Sequence, residues 1–205
     1  MKIIGLTGSI AAGKSTIGGW INELGIATHD SDCVVHELLG PNGRAVKDVL
    51  AEFGSHFGTI AGGINRKSLG DEIFSAPQKR LTLESILHPM VCQHRDAFIA
   101  EQRKANAAAI VLDVPLLFET GGQAMCDYVI VVHASSKTSV KRALARPGMT
   151  KDKLASILES QIPSDEKKTW ADLALDSDMP KDQTRNQLID WLSAIGLSIV
   201  KDKPG

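Results

Sequence analysis

The 205-residue sequence predicts an α/β fold with a mainly parallel central sheet. Two observations carry this prediction. Short apolar runs alternate with longer segments of helical periodicity, as they do where helices connect parallel strands. The first apolar run, residues 3–6, also leads through a glycine-rich loop into an amphipathic segment, residues 14–24, which Gly25 ends. We therefore expect a buried first strand, a tight loop and a helix at the start of the chain.

The remaining elements follow the same alternation, with one long exception. Further strands are predicted at residues 26–28, 109–114, 128–132 and 173–175. Helices are predicted over residues 34–39, 45–53, 68–74, 79–104, 137–145, 150–161 and 183–194. The stretch between the second and third strands is too long for a simple crossover. We therefore predict one domain, residues 1–205, with an inserted helical lobe at about residues 41–105 and a tail that frays from residue 201.

Composition excludes several classes of partner. The formal net charge is -1 with both signs mixed along the chain, and aromatic residues make up 4%, so neither a basic surface nor a stacking platform for nucleic acid is expected. The apolar runs have strand length, which predicts no membrane partner. No targeting segment or protein partner is indicated, and the three cysteines lack metal-ligand spacing, so we expect a cytoplasmic protein with reduced thiols.

Residues 8–15 match the phosphate-binding pattern G-x-x-x-x-G-K-[ST] in full. Glycines in such a loop let successive backbone N–H groups converge on a phosphate, and the following helix presents its positive N-terminus to the same anion. Lys14 is expected to reach the β- and γ-phosphates of ATP, Ser15 to ligate Mg²⁺, and Thr16 to contact the α-phosphate. The predicted ATP-binding residues of the loop are Gly8, Ala11, Ala12, Gly13, Lys14, Ser15 and Thr16.

The absence of other nucleotide-binding motifs favours a kinase. The guanine-reading Asn-Lys-x-Asp of GTPases and the Leu-Ser-Gly-Gly-Gln of transporter ATPases are both missing from the sequence. Asp30 and Asp32 follow the second predicted strand at its carboxyl end, where open α/β sheets bind their ligands. Either carboxylate could accept the proton of an alcohol acceptor, or could instead cap the next helix. Local sequence leaves these two roles about equal.

The motifs together resemble the dephospho-CoA kinase family over nearly the whole chain. Besides the phosphate loop, the resemblance rests on Asp30-Ser31-Asp32, Leu87-His88-Pro89 and Val114-Pro115-Leu116-Leu117-Phe118-Glu119, with Asn65-Arg66, Arg142, Arg146 and Gln161. It implies a three-layer P-loop fold with a helical acceptor lobe and a helical lid at about residues 142–165. The implied reaction transfers the ATP γ-phosphoryl group to the ribose 3′-hydroxyl of dephospho-CoA.

The resemblance also implies roles for single residues. Asp32 resembles the family's catalytic base and Asp30 a neighbour in the acceptor site. Arg66 and His88 are expected to line the acceptor lobe, and Glu119 to contact the acceptor. The residues alone favour two alternatives: surface solvation of Arg66, and a His88 that caps or kinks a helix before Pro89.

The remaining implied roles concern the metal ion and the lid. Asp113 resembles the acid that holds Mg²⁺, directly or through water, and a strand-end turn residue is its alternative. Arg142 and Arg146 are expected to meet the triphosphate from the lid. Here Pro147 stands where the family usually has aspartate, so a stiffer hinge is expected. Asp176-Ser177-Asp178 replaces a turn that commonly helps seat adenine, which leaves the adenine contacts unassigned.

Two other functions remain open on sequence grounds. Another small-molecule P-loop kinase, acting on a nucleoside or nucleotide, would share the phosphate loop and the carboxylates. A non-catalytic nucleotide-binding switch would bind ATP without transferring a phosphoryl group. The preferred acceptor would distinguish another small-molecule kinase from a dephospho-CoA kinase. Phosphoryl transfer itself would distinguish either kinase from a non-catalytic switch.

Overall fold

The computed structural model describes residues 1–74 and 76–198, and the predicted fraying tail from residue 201 lies outside them. The strands are β1 (Lys2–Gly8), β2 (Ala27–Asp30), β3 (Ala109–Asp113), β4 (Tyr128–His133) and β5 (Leu173–Asp176). The helices are α1 (Lys14–Glu23), α2 (Ser31–Leu38), α3 (Val46–Phe53), α4 (Arg66–Phe74), α5 (Pro77–Lys104), α6 (Ser136–Leu144), α7 (Lys151–Glu159), α8 (Ser164–Thr169) and α9 (Lys181–Ala194). Short 3₁₀ turns lie at Ser55–Phe57 and Gly122–Met125.

The strands form a five-stranded sheet in the order β2-β3-β1-β4-β5. β1 lies at the centre and pairs in parallel with β3 and β4, and β4 pairs in parallel with β5. The register sets Leu6 beside Asp113 and Gly8 beside Val132, so the strands end near one edge of the sheet. The predicted α/β fold with a mainly parallel sheet is confirmed.

The chain divides into two compact units. One contains Met1–His29 and the chain from Gln102 onward, and the other is Asp30–Glu101. The second unit carries α2 to α5 and starts about ten residues before the predicted helical lobe. Its role in binding an acceptor stays a prediction.

The sheet unit buries the apolar faces of its strands under α1 and α9. Ile4, Val111, Ile130 and Leu175 are completely buried in one cluster with Ile17, Ile21, Leu188 and Leu192. On the other face, Leu117 and Val131 are completely buried with Val129. Burial on both faces explains the unbroken apolar runs of these strands. The rigid sheet provides a fixed base for the loop after β1.

The helical unit has a core of its own. Val34 and Leu38 of α2, Val49 of α3 and Leu83 and Leu87 of α5 are buried together with Phe57, Ile64 and Leu69. The long α5 continues through Pro89, which lies in its interior. Over the described residues, no helix is both long and apolar enough to cross a membrane.

The structure differs from the sequence-based prediction mainly at α2 and α8. α2 begins three residues earlier than predicted, because the Asp30 side chain caps it. α8 was not predicted, since its sequence Ser-Asp-Glu-Lys-Lys-Thr contains no apolar residue. The buried residue of α8 is Lys167, which forms an ion pair with Glu119. The helix is therefore buried through a charged side chain, and its sequence shows no apolar periodicity.

Candidate active site

The loop between β1 and α1 has the backbone of a phosphate-binding site. Gly13 has φ +95° and Ala11 has φ +56°, both in the left-handed region. A β-carbon at Gly8 would collide with the carbonyl oxygen of Val132. Glycine is therefore required at both ends of the loop, for close approach at Gly8 and for backbone conformation at Gly13.

Helix α1 starts at Lys14 directly after this loop. Gly13 occupies its N-cap position, and no side chain of the described residues caps its first turn. The first N–H groups of a helix need external acceptors and carry a partial positive charge. The end of α1 therefore suits an anion, and ATP phosphates fit it.

The side chain of Lys14 donates a hydrogen bond to Asp113 Oδ1 at the end of β3. Asp113 is 5% exposed, and the Lys14 side chain is 18% exposed. β1 and β3 are adjacent, so their register brings the loop lysine to the strand-end carboxylate. Asp113 therefore lies beside the phosphate loop, and its predicted contact with the metal ion stays a prediction.

The metal-ligating groups near the loop fit Mg²⁺. Within the described residues, no group of three or more His, Cys, Asp or Glu side chains forms a metal cage. Mg²⁺ is usually held by one or two protein oxygens together with phosphates and water. The hydroxyl of Ser15, one residue after Lys14, and the carboxylate of Asp113 are the protein oxygens that could supply this.

The turn after β5 closes against the loop. A β-carbon at Gly13 would lie 3.1 Å from Ser177 Cβ and 3.8 Å from Arg142 Nη1. Arg142 donates to Ser177 Oγ at 2.7 Å and to its carbonyl oxygen at 3.1 Å. The sequence predicted Arg142 beside the nucleotide, and the structure brings it to Gly13. The contact from Ser177 was not predicted.

Asp178 orders the same turn. Its Oδ2 accepts hydrogen bonds from Ser135 N–H at 3.0 Å and from Thr138 Oγ1 at 3.2 Å. The Ser135 bonds hold the pKa of Asp178 below its usual value. The turn of residues 176–178 is therefore held in place by one of its own carboxylates.

The predicted lid segment has an apolar contact with the phosphate loop through α7. Leu154 of α7 is 5% exposed and packs in a cluster with Ala11 and Ala143. Residues 151–153, the charged start of α7, include no buried residue, so the packing surface of the helix begins at Leu154. Arg146 is exposed, and no hydrogen bond or ion pair joins its side chain to the described residues.

Two polar contacts tie the end of this segment to other parts of the sheet unit. Gln161 Oε1 accepts a hydrogen bond of 3.0 Å from Ile10 N–H in the phosphate loop. Glu119 Oε1 accepts one of 2.9 Å from Ile162 N–H and lies 2.6 Å from Lys167 Nζ. The predicted contact of Glu119 with an acceptor stays a prediction, while its carboxylate is engaged by Ile162 and Lys167.

The two candidate base residues differ in their surroundings. Asp30 Oδ1 accepts hydrogen bonds from Asp32 N–H at 2.9 Å and Cys33 N–H at 3.0 Å, so it is the N-cap of α2. The thiol of Cys33 also donates to Asp30 at 3.4 Å, and this bond raises the pKa of Cys33. Asp32 is exposed in the first turn of α2, and none of the described residues forms a hydrogen bond or ion pair with its carboxylate. The capping role therefore falls to Asp30.

Arg66 and His88 both lie in the helical unit and are exposed. Arg66 is the first residue of α4, where the side chain of Asn65 accepts a hydrogen bond from Ser68 N–H at 3.2 Å. His88 lies within α5, with a ring nitrogen 3.8 Å from Cys92 Sγ. It does not cap a helix end, since α5 continues on both sides.

A cavity of about 580 Å³ in the sheet unit borders the phosphate loop at Ser9 and Ile10. Its lining includes Ser9, Ile10, His133, Leu158 and Gln161. Burial lowers the pKa of His133, so its imidazole is neutral at pH 7. Sequence analysis gave no indication of this cavity, because its walls come from segments more than a hundred residues apart.

Comparison with known proteins assigns the family. A family model described as Dephospho-CoA kinase matches residues 2–182. A dephospho-CoA kinase of Rhodospirillum rubrum is 48% identical over 161 residues, 78% of this chain and 76% of that protein. One of Brucella melitensis is 40% identical over 196 residues, 95% of this chain and 96% of that protein.

Solved structures agree with the sequence relatives. The dephospho-CoA kinase of Campylobacter jejuni has 26% identity and a TM-score of 0.69 over 94% of this chain and 96% of that one. TT1252 from Thermus thermophilus has 26% identity and a TM-score of 0.76 over 96% and 98%. A shikimate kinase of Aquifex aeolicus, at 14% identity and a TM-score of 0.51 over 95% and 99%, shares the fold. The chain belongs to the dephospho-CoA kinase family.

Proposed function

We propose that this protein is an ATP-dependent dephospho-CoA kinase, which makes CoA and ADP in the last step of coenzyme A synthesis. The observation that carries the proposal is the phosphate loop, with its uncapped helix and the Lys14–Asp113 pair, in a chain of this family. A small-molecule substrate is the general expectation for the family. Dephospho-CoA as the substrate is the specific proposal.

The loop residues bind and orient the triphosphate. The backbone of Gly8, Ala11, Ala12 and Gly13 and the start of α1 surround the phosphates, with Ser15 and Thr16 in the first turn. Lys14 exchanges part of its contact with Asp113 for phosphate oxygens and stabilises negative charge on the transferring group. Ser15 and Asp113 would hold Mg²⁺, which would supply neutralisation of the phosphate charge.

Asp32 accepts the proton of the attacking hydroxyl. The ribose 3′-oxygen forms a bond to the γ-phosphorus, the bond from that phosphorus to the β–γ bridging oxygen breaks, and ADP leaves. The hydroxyl proton goes to the Asp32 carboxylate. Asp32 suits this role better than Asp30, because Asp30 caps α2 with its own carboxylate.

Other residues serve the acceptor and the lid. Arg66, His88 and Asp30, at the first helix of the helical unit, supply polar groups that bind the acceptor. Glu119 is the weakest of the predicted acceptor contacts, because its carboxylate forms an ion pair with Lys167. Arg142 and Arg146 meet the triphosphate through a lid of about residues 142–165, since a planar guanidinium can bind two phosphate oxygens. A cytoplasmic location belongs to the same proposal, because the reaction consumes ATP.

The test is the choice of acceptor. Purified protein is given ATP and Mg²⁺ with dephospho-CoA, nucleosides or nucleoside monophosphates, and ADP release is followed in a coupled assay. Turnover with dephospho-CoA and background rates with the others are expected. Faster turnover with a nucleoside or nucleotide would support the alternative kinase, and ATP binding without any turnover would support a non-catalytic switch.

A further inference from the structure

Three polar contacts connect the phosphate loop to α8 through the end of the predicted lid. Ile10 N–H donates to Gln161 Oε1 at 3.0 Å, and the next residue, Ile162, donates its N–H to Glu119 Oε1 at 2.9 Å. Lys167 Nζ lies 2.6 Å from the same Glu119 oxygen. All five residues belong to the sheet unit. The loop amide is therefore the first member of a connected series that ends at a buried lysine.

The far end of this series is unusually well buried for charged residues. The side chain of Lys167 has no solvent exposure, and that of Glu119 is 12% exposed. Glu119 Oε2 is also buried and has no hydrogen-bond partner among the described residues. Charges are removed from water at a large cost, so a buried pair is weak evidence for added stability. A role in fixing geometry accounts for the pair better.

The near end acts on the loop that is expected to bind ATP. Glu119 fixes the backbone at Ile162, and this sets where the adjacent Gln161 side chain can reach. Gln161 then holds the amide of Ile10, next to Ala11 with its φ of +56°. This backbone conformation is strained for a residue with a β-carbon and needs support from its neighbours.

We propose that Gln161 and Glu119 are positioning residues for ATP, with Lys167 as the counter-charge of the buried Glu119 carboxylate. They hold the first half of the phosphate loop in its binding conformation through Ile10, without touching the nucleotide. This inference rests on the proposed function only for its turnover measurement. ATP binding can be measured without any acceptor, so failure of the acceptor assignment would leave the test intact.

The first experiment removes the hydrogen bond on the loop. Gln161→Met keeps the length of the side chain and removes its acceptor oxygen. Loss of one such bond is expected to raise the calorimetric Kd for ATP about five- to tenfold. The KM for ATP rises in parallel, while the KM for dephospho-CoA and the melting temperature stay near the parent's. Gln183→Met, at an exposed position of α9, is the matched control and should bind ATP as the parent does.

The second experiment tests whether the buried pair acts through Ile162. Removing one charge alone could prevent folding, so both are neutralised together. Glu119→Gln/Lys167→Met keeps an acceptor for Ile162 N–H and should bind ATP within about twofold of the parent. Glu119→Leu/Lys167→Met removes that acceptor and should weaken ATP binding about as much as Gln161→Met does. Lys168→Met, next to Lys167 on α8, controls for the loss of a lysine.

Coupling between the two ends decides the proposal. Adding Gln161→Met to Glu119→Leu/Lys167→Met should cost less than about a further twofold in Kd, because both changes break the same connection. If the fold-increases in the Kd for ATP multiply in the combined variant, the two changes act independently and the connected series is wrong. Unchanged or tighter ATP binding in Gln161→Met would also overturn it, since Gln161 would then be irrelevant or would restrain the loop against ATP. If the leucine variant does not fold, Gln161→Met and the glutamine variant still decide the outcome.

Discussion

The phosphate loop and the segment from Arg142 to Lys168 lie in the same unit but are held in place by different means. The loop depends mainly on its own backbone, at Gly8, Gly13 and the uncapped start of α1, with added support at Ile10 from Gln161. The segment takes its position from single side-chain contacts with distant parts of the chain: Arg142 with Ser177, Leu154 with Ala11, Gln161 with Ile10 and Lys167 with Glu119.

This difference determines what each region tolerates. A backbone-defined site depends on residue types at fixed spacing, so one wrong residue removes it. A region positioned by side chains can lose one contact and keep the others. We therefore expect substitutions in the loop to abolish activity, and substitutions in the segment to change activity in steps that depend on the contact removed.

The largest effect is expected for Lys14→Ala. The substitution removes the cation that stabilises charge on the transferring phosphoryl group, and leaves the core intact. Turnover should fall by about 10³-fold or more, with circular dichroism unchanged. Lys181→Ala, at the exposed start of α9, should behave as the parent does. Near-normal turnover in Lys14→Ala would contradict the assignment of the loop.

Asp32→Asn separates ATP binding from phosphoryl transfer. The shape of the side chain is kept and the proton acceptor is lost, so kcat should fall about 10²- to 10⁴-fold while ATP still binds. Part of the loss comes from a misplaced acceptor oxygen, because the transition state is loose. Asp30→Asn keeps a capping oxygen for α2 and should have the smaller effect on kcat. A large loss of kcat in Asp30→Asn, together with a nearly normal kcat in Asp32→Asn, would show that Asp30 and not Asp32 is the proton acceptor.

Arg146→Ala tests the predicted lid within the side-chain-positioned segment. Arg146 is exposed, and its side chain forms no hydrogen bond or ion pair with the described residues, so the melting temperature should stay close to the parent's. The kcat should fall about 10²-fold if its guanidinium meets the triphosphate on closure. Arg103→Ala, in the last turn of α5, is the control.

Hydrogen exchange adds a second measurement on the same segment. Because Leu154 anchors α7, the fastest exchange is expected over residues 145–150 and should slow when ATP and dephospho-CoA are both bound. If Arg146→Ala has unchanged kinetics and the ligands do not change the hydrogen exchange, the predicted lid is a passive surface.

The smallest effect concerns pH and His133. Burial lowers its pKa, against raising effects of Asp176, Asp165 and Asp178 and a lowering effect of Lys168. The unfolded chain then binds a proton more readily than the folded one, so this residue's share of the stability is complete above pH ~6.5 and declines as the pH falls below it. The melting temperature of His133→Gln should therefore fall less than the parent's between pH 7 and pH 5.5. Parallel curves for the two proteins would contradict this.

The sequence predicted the features that depend on apolar periodicity and on glycine at fixed spacing. The parallel sheet and the phosphate loop follow from apolar runs and glycine spacing, while the position of Asp113 beside the loop depends on the adjacency of β1 and β3, which was not predicted. The sequence did not predict α8 or the contacts of Gln161, Ile162 and Lys167, because a polar helix, hydrogen bonds across 43 or 151 residues and a buried ion pair leave no periodic signal. Asp30 and Asp32 could be separated only once the capping bonds of Asp30 were seen.

The most direct test of the proposed reaction is the position of the new phosphate. Purified protein is incubated with ATP, Mg²⁺ and dephospho-CoA, and the product is analysed by ³¹P NMR and mass spectrometry. The account predicts one new phosphomonoester on the ribose 3′-oxygen, formed in equal amount to ADP and absent with Lys14→Ala. A phosphate at any other position, or ADP formed without phosphorylated acceptor, would contradict it.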